Sequence, residues 1–188
     1  FQFFEFLRYK YIMFLKNKTV LVTGASAGIG KACAEVFAEA GARLIMLARR
    51  KDKIDELKNE LNAKFSTEAL TFACDVRNYD EVKNVIDGLP KEWSDIDILI
   101  NNAGLARGVE KIQDGVLQNW EEMIDTNVKG LLYMSRVILP KMIARNEGFV
   151  INIGSTAGHE VYPGGNVYCG TKHAVKAITK GMSIDVNG

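Results

Sequence analysis

The sequence predicts a three-layer α/β domain built on a doubly wound parallel sheet. Two observations carry that expectation. Five short runs, Thr19 to Val22, Leu44 to Leu47, Leu70 to Cys74, Ile96 to Ile100 and Phe149 to Ile153, alternate with segments of helical periodicity. Such alternation implies parallel pairing through right-handed crossovers. The runs are also largely continuous in apolar residues, as strands covered on both faces should be.

The elements follow in order. Ile29 to Ala40 reads as a helix that Gly41 terminates. A charged helix is predicted over Lys53 to Leu61. Asn78, with Glu81 three residues on, has the spacing of a helix N-cap ahead of Val82 to Leu89. Leu117, Trp120, Ile124, Val128 and Leu131 recur every three or four residues, the stripe of a long amphipathic helix. Pro140 should kink or end it. A last helix is predicted from about Val167 to Ile184.

Hydrophobic residues make up 47% and charged residues 25% of the 188, which fits one soluble globular domain with a substantial core. A formal net charge of +1 gives no electrostatic case for nucleic acid, which calls for a clustered basic face. Cys33, Cys74 and Cys169 lack CxxC or metal spacing and read as reduced thiols of a cytoplasmic protein. His159 and His173 lack partner spacing too, so both are expected at the surface and no metal site is expected. Residues 1–17 read as an N-terminal extension or arm. Phe1 to Leu15 is aromatic-rich, but Glu5, Arg8 and Lys10 interrupt it, so no membrane span is expected. No small-residue cleavage site follows. Met13 fits a natural start, with residues 1–12 non-native, and 18–188 form the domain.

Thr23 to Gly30 reads TGASAGIG, between a strand and a helix. Gly24 permits the tight turn, Gly28 lets the backbone approach a pyrophosphate, and Gly30 lets helix pack on strand, the arrangement of a Rossmann-type dinucleotide site. The helix N-terminus offers free N–H groups to the anion. An NAD site places an acid about 20 residues further on. Here the second strand instead leads into Ala48, Arg49 and Arg50. A guanidinium binds a 2′-phosphate that a carboxylate would repel, and Ser26 can add a hydrogen bond, so the cofactor expected is NADP. Asp75-Val76 after the third strand and Asn101-Asn102-Ala103-Gly104 after the fourth stand at carboxyl ends of strands, where open α/β sheets bind ligands. They fit an adenine rim and a close cofactor contact.

Ser155 follows the fifth strand, and Tyr168 and Lys172 are four apart on the last helix. That spacing sets their Cβ atoms roughly 6 Å apart on one face. Tyrosine ordinarily titrates near about 10. A neighbouring ammonium stabilises the phenolate, so Tyr168 can exchange a proton with an alcohol or ketone as hydride moves to or from a nicotinamide. The Ser155 hydroxyl would hold the substrate oxygen, or simply cap a turn. Asn127 is a poor helix-interior residue. It needs a solvent-facing position or a polar role, and orienting Lys172 is the role expected.

This ordered set resembles the short-chain dehydrogenase/reductase family from Lys18 onward. TGASAGIG matches its TGxxxGxG, Asn101 to Gly104 its NNAG, and Asn127, Ser155, Tyr168 and Lys172 its Asn-Ser-Tyr-Lys tetrad. The stretches DIDILINNAGLARG, MIDTNVKGLLYMSRVILPKM and INIGSTAGHEVYPGGNVYCGTKHAV are similar to its NADP-dependent 3-hydroxy acid dehydrogenases. The resemblance implies oxidation of serine, allo-threonine or another small 3-hydroxy acid. It implies NADP contacts at Gly24, Ala25, Ser26, Ala27, Gly28, Ile29, Arg49, Arg50, Asp75, Val76 and Asn102. Tyr168 would be acid/base, Lys172 would sit on the nicotinamide ribose and Ser155 on the substrate. It also implies a homotetramer with the Asn127 and Tyr168 helices at an interface.

The family continues past the Lys172 helix with two further strands and a substrate-covering loop. The chain is therefore expected to be partial, to leave its fifth strand as an unpaired edge, and to be less soluble or stable than a longer form. Two other functions stay open: a ketone or 3-oxoacyl reductase using the same tetrad, and a non-catalytic cofactor-binding or interaction protein, or inactive fragment.

Overall fold

The computed structural model describes residues 15–186. Most of the expected N-terminal arm therefore lies outside the described residues. Five strands, β1 (Thr19–Thr23), β2 (Arg43–Ala48), β3 (Ala69–Ala73), β4 (Ile98–Asn101) and β5 (Phe149–Asn152), form one sheet in the order β3-β2-β1-β4-β5. Every pairing is parallel, with Val20 opposite Leu44 on one side and Ile98 on the other. The order reverses between β1 and β4, and a crevice opens there at the strands' carboxyl ends.

Alternation along the strands divides the core. Val20, Val22, Leu44, Met46, Ile98 and Ile100 face one layer, completed by Ala34 and Ala38 of α1 (Gly28–Glu39) and Ile54, Leu57 and Leu61 of α2 (Lys51–Phe65). Leu21, Ile45, Leu47 and Leu99 face the other, with Val82 and Ile86 of α3 (Tyr79–Asp87) and Met134, Ile138 and Met142 of α5 (Leu131–Arg145). Each fully buried large aliphatic side chain stabilises the fold by roughly 1.5–3 kcal/mol, so the central strands are the most firmly fixed part of the molecule. The Asn78 side chain accepts from the Asp80 and Glu81 backbone N–H groups at 3.0 and 3.2 Å, the cap that its spacing predicts.

Three expectations need correction. The long amphipathic helix is α4 (Leu117–Ile124), a π-helical turn over Asp125–Gly130, and then α5. Its named stripe does not share one environment: Leu117 is 69% and Ile124 39% exposed, Trp120 and Val128 are half-buried and Leu131 is buried, while Met123, Thr126, Asn127 and Gly130 are also buried. Spacing marks an apolar face without saying whether the core or another surface covers it. Pro140 does not end the helix, which runs on to Arg145. Pro140 and Arg136, whose carbonyl loses its partner, are both exposed, so water can satisfy that oxygen while Met134, Ile138 and Met142 hold the other face. Finally, β5 is not covered on both faces: Phe149 is 64% and Ile151 42% exposed, and among the described residues β5 pairs with β4 alone. The edge expected there is present.

The strands' amino ends are tied by charge. The Asp97 carboxylate accepts from the Thr19 backbone N–H at 2.8 Å and from Lys18 Nζ at 3.1 Å, and Lys18 also bonds Glu147 at 2.7 Å. No helix among the described residues is long and apolar enough to cross a membrane. Asp97→Ala should lower unfolding stability by about 1–3 kcal/mol, the effect of stripping a partly buried N–H of a charged acceptor. Urea titration checks this, and an unchanged midpoint would refute the role given to Asp97.

Candidate active site

A cleft of about 680 Å³ runs across the carboxyl ends of all five strands. Its floor begins at the β1–α1 turn. Gly24 (φ +66°) has its hydrogen where a Cβ would lie 2.9 Å from the Ala103 Cα. A Cβ at Gly30 would meet the Asn102 amide and lie 2.5 Å from the Gly24 carbonyl oxygen. These two glycines are required by close packing. Gly28 (φ +56°) has no atom within 4 Å of its Cβ position and faces open space. Asn102 and Thr23 stitch the turn to β4. Asn102 Nδ2 donates to the Thr23 and Gly24 carbonyls at 2.9 and 3.2 Å, and Thr23 Oγ1 accepts from the Asn102 and Ala103 N–H groups, both at 3.0 Å.

The structure brings together, along the cleft wall, Gly24, Ser26, Ala27, Gly28, Ile29, Arg49, Arg50, Asp75, Val76, Asn102, Ala103, Gly104, Tyr168 and Lys172. Four other expected residues stand back from it. Ala25 is fully buried, its N–H donating to the Leu47 carbonyl at 3.2 Å. Gly30 is buried in the helix–strand contact. Asn127 is buried below the wall, and Ser155 is beside it. Sequence reasoning missed Ala48, Cys74, Leu105, Ala106, Thr126, Ile153 and Gly154, which also line the cleft. Most are chain neighbours of motif residues at strand ends and could have been found that way. Thr126 could not, because its direction depends on the π-helical turn.

At one end, Arg50 Nη2 donates to Ser26 Oγ at 3.1 Å, joining the glycine turn to the loop after β2. Arg49 and Arg50 are exposed and free to meet an anion. The Cys74 thiol, on the wall between, is pushed up to about 11, chiefly by burial, and so stays protonated at neutral pH. Burial raises the Asp75 pKa, but the Arg77 guanidinium and backbone N–H outweigh it, leaving the acid below its ordinary value.

At the other end, α6 (Asn166–Val186) carries Tyr168 and Lys172. Lys172 is only 8% exposed, its Nζ donates to the Ile153 carbonyl at 2.8 Å, and the same nitrogen lies 5.9 Å from the Tyr168 ring centroid. Burial lowers its pKa. Asn127 does not bond Lys172 directly. Its Oδ1 accepts from the Leu105 N–H at 2.8 Å, and its Nδ2 donates to the Leu105 carbonyl at 2.8 Å and Thr171 Oγ1 at 3.0 Å. It thus fastens the loop after β4 to α6, one residue from Lys172. Ser155 Oγ accepts from the Ala157 N–H at 3.1 Å and caps a 3-10 turn over Thr156–Gly158. Gly158 brings that turn against the Lys172 backbone, where a Cβ would lie 2.8 Å from the carbonyl oxygen. His159 and His173 are exposed, as expected.

Comparison with known proteins places this geometry in a family. The short chain dehydrogenase family model matches residues 18–188. The NADP-dependent 3-hydroxy acid dehydrogenase of Salmonella typhi is 47% identical over 169 residues, spanning 90% of this chain and 66% of that protein. A protein of the same description from Schizosaccharomyces pombe is 44% identical, over 89% of this chain and 65% of the relative. The chain thus spans about two thirds of the length of the curated relatives it matches. Among solved structures, the closed form of serine dehydrogenase complexed with NADP+ superposes with a TM-score of 0.84 at 45% identity, covering 90% of this chain and 67% of that one. A parallel sheet with its glycine turn, a tyrosine–lysine pair at the strand tips and a match over the whole of residues 18–188 lead to one conclusion: the chain belongs to the short-chain dehydrogenase family.

Proposed function

We propose that this chain forms the cofactor-binding and proton-transfer part of an NADP-dependent oxidoreductase acting on the hydroxyl or keto carbon of a small 3-hydroxy acid. The observation that carries the proposal is the pairing of two ends of one cleft: Arg49, Arg50 and Ser26 at one, Tyr168 and Lys172 at the other. Bound NADP would supply hydride transfer at its nicotinamide. Gly28 and the N-terminus of α1 offer backbone N–H groups to a pyrophosphate, while the two guanidiniums favour a 2′-phosphate over a bare ribose hydroxyl.

Tyr168 takes the proton from a substrate hydroxyl during oxidation, or returns it during reduction. The Lys172 ammonium, held by the Ile153 carbonyl, stabilises the negative charge that develops on the phenolic oxygen and reaches the ribose side of the cleft. Ser155, kept beside Tyr168's helix by its turn, holds the substrate oxygen. Asn127 acts by fixing Leu105 and Thr171 around Lys172. The substrate class is supported by the names of the relatives, 3-hydroxy acid and serine dehydrogenases. The exposed apolar side chains of Leu117, Ile124 and Leu132 support a homo-oligomer that covers them, as a tetramer would.

Tyr168→Phe in the full-length protein should lower turnover of serine or 3-hydroxypropionate by about 10²–10⁴-fold with NADP binding kept; unchanged turnover would remove Tyr168 from the reaction. Arg50→Ala should weaken NADP by about tenfold and leave NAD nearly unaffected, the loss of one charge-assisted contact. Equal losses for both, by fluorescence titration, would deny the 2′-phosphate role. Lys172 carries a lowered folded pKa, so its burial weighs against the fold at neutral pH and the burden eases as pH rises into the alkaline range. Lys172→Met should therefore melt no earlier than wild type at pH 7 while losing turnover. A clearly lower midpoint at pH 7 would contradict this.

A further inference from the structure

We propose that Arg77, which stands outside the cleft, is the positioning residue for purine recognition: it holds the Asp75 carboxylate so that the acid presents an acceptor to the exocyclic amine of adenine. The inference rests on the dinucleotide reading above and extends it to a residue that no motif singles out.

Asp75 leaves β3, at the opposite edge of the sheet from β5 and the Tyr168 end. Its carboxylate is gripped by one residue. The Arg77 backbone N–H donates to Oδ1 at 3.1 Å, Nε lies 3.0 Å from each oxygen, and Nη2 donates to Oδ2 at 2.6 Å. A carboxylate offers about four acceptor positions. Three N–H groups fix it, the Nε–H being shared between both oxygens, and the side chain stays 24% exposed, open to one further donor.

The backbone is held as well. Glu81 Oε2 accepts from the Asp75 N–H at 2.9 Å, and the Asp75 carbonyl accepts from the Asn78 N–H at 2.9 Å. The next residue, Val76, abuts the π-helical turn, where a Cβ at Gly130 would lie 2.6 Å from Val76 Cγ2. The backbone of Asp75 is thus fixed by other residues, and what Arg77 adds is the orientation of the carboxylate about it. Glu122 and Asp125 on the neighbouring helix add negative charge around the guanidinium, although Arg107 and Lys129 pair with them at 2.6 Å.

A carboxylate fixed in its ionised form only accepts hydrogen bonds. It favours a 6-amino purine, a donor, and disfavours a 6-oxo purine, whose oxygen would face it. Arg77 thereby sets a discrimination that a purely structural residue would not.

The test compares dissociation constants for NADP and its hypoxanthine analogue in wild type, Arg77→Met and Arg77→Lys, by fluorescence titration at constant salt. Wild type should prefer NADP by about tenfold, the value of a hydrogen bond to a charged group. Arg77→Met should bring that ratio near one while affinity for the analogue stays close to wild type. Arg77→Lys, which keeps the charge without the fork, should fall between. If Arg77→Met does not fold, the ratio in Arg77→Lys decides, and it must lie below the wild-type ratio. A wild-type ratio near one, an unchanged ratio in the variants, or equal losses for both cofactors in the variants overturns the proposal and leaves the dinucleotide reading standing. Wild type binding neither cofactor overturns both.

Discussion

The close approach of α1 to the tip of β4 is the constraint on which the rest depends. Gly30 lies against Asn102 and the Gly24 carbonyl, and Gly24 against Ala103, with no space for a methyl group at either. Two hydrogen bonds from Asn102 and two to Thr23 convert that contact into a fixed joint. Because the joint lies where the strand order reverses, it sets the height of the helix N-terminus above the sheet, the place proposed above for a pyrophosphate.

From this joint the cleft extends both ways along the strand tips, and its ends have different physical characters. Toward β3 it is exposed and charged, with Arg49 and Arg50 beside an ionised Asp75. Toward β5 it is drier. Lys172 is buried there, its Nζ donating to the Ile153 carbonyl with a tyrosine ring nearby. A desolvated ammonium is poorly screened, so its field on a neighbouring oxygen is stronger than it would be at the surface. The fold bears the burial penalty of that charge, and a stronger field on the Tyr168 oxygen is what the proposed proton transfer would gain from it.

The π-helical turn links the two ends. By widening the helix at Asp125–Gly130 it turns Asn127 inward to Leu105 and Thr171 and brings Thr126 to the cleft wall. It also sets Gly130 against Val76, beside Asp75. One irregular turn therefore touches the loop after β3, the loop after β4 and the helix of Tyr168, consistent with the tendency of such turns to occur at functional sites.

The sequence by itself determined the elements whose chemistry is local: the five apolar strands, the glycine turn, the Asn78 cap, the Gly41 stop and the Tyr168–Lys172 spacing, each fixed by neighbours a few residues away. Residues at strand tips were legible because a parallel sheet must gather those tips on one edge. Only the tertiary structure decided which face of the Leu117–Leu131 stripe is buried, that the helix runs through Pro140, and that Asn127 grips Leu105 rather than Lys172. It alone decided that Ala25 and Ser155 stand off the cleft wall and that Arg77 grips Asp75. The reason is common to all of these: periodicity records that a side chain is apolar or polar, whereas its partner is chosen by contacts between segments distant in the chain, and an irregular turn of one residue's width is enough to redirect them.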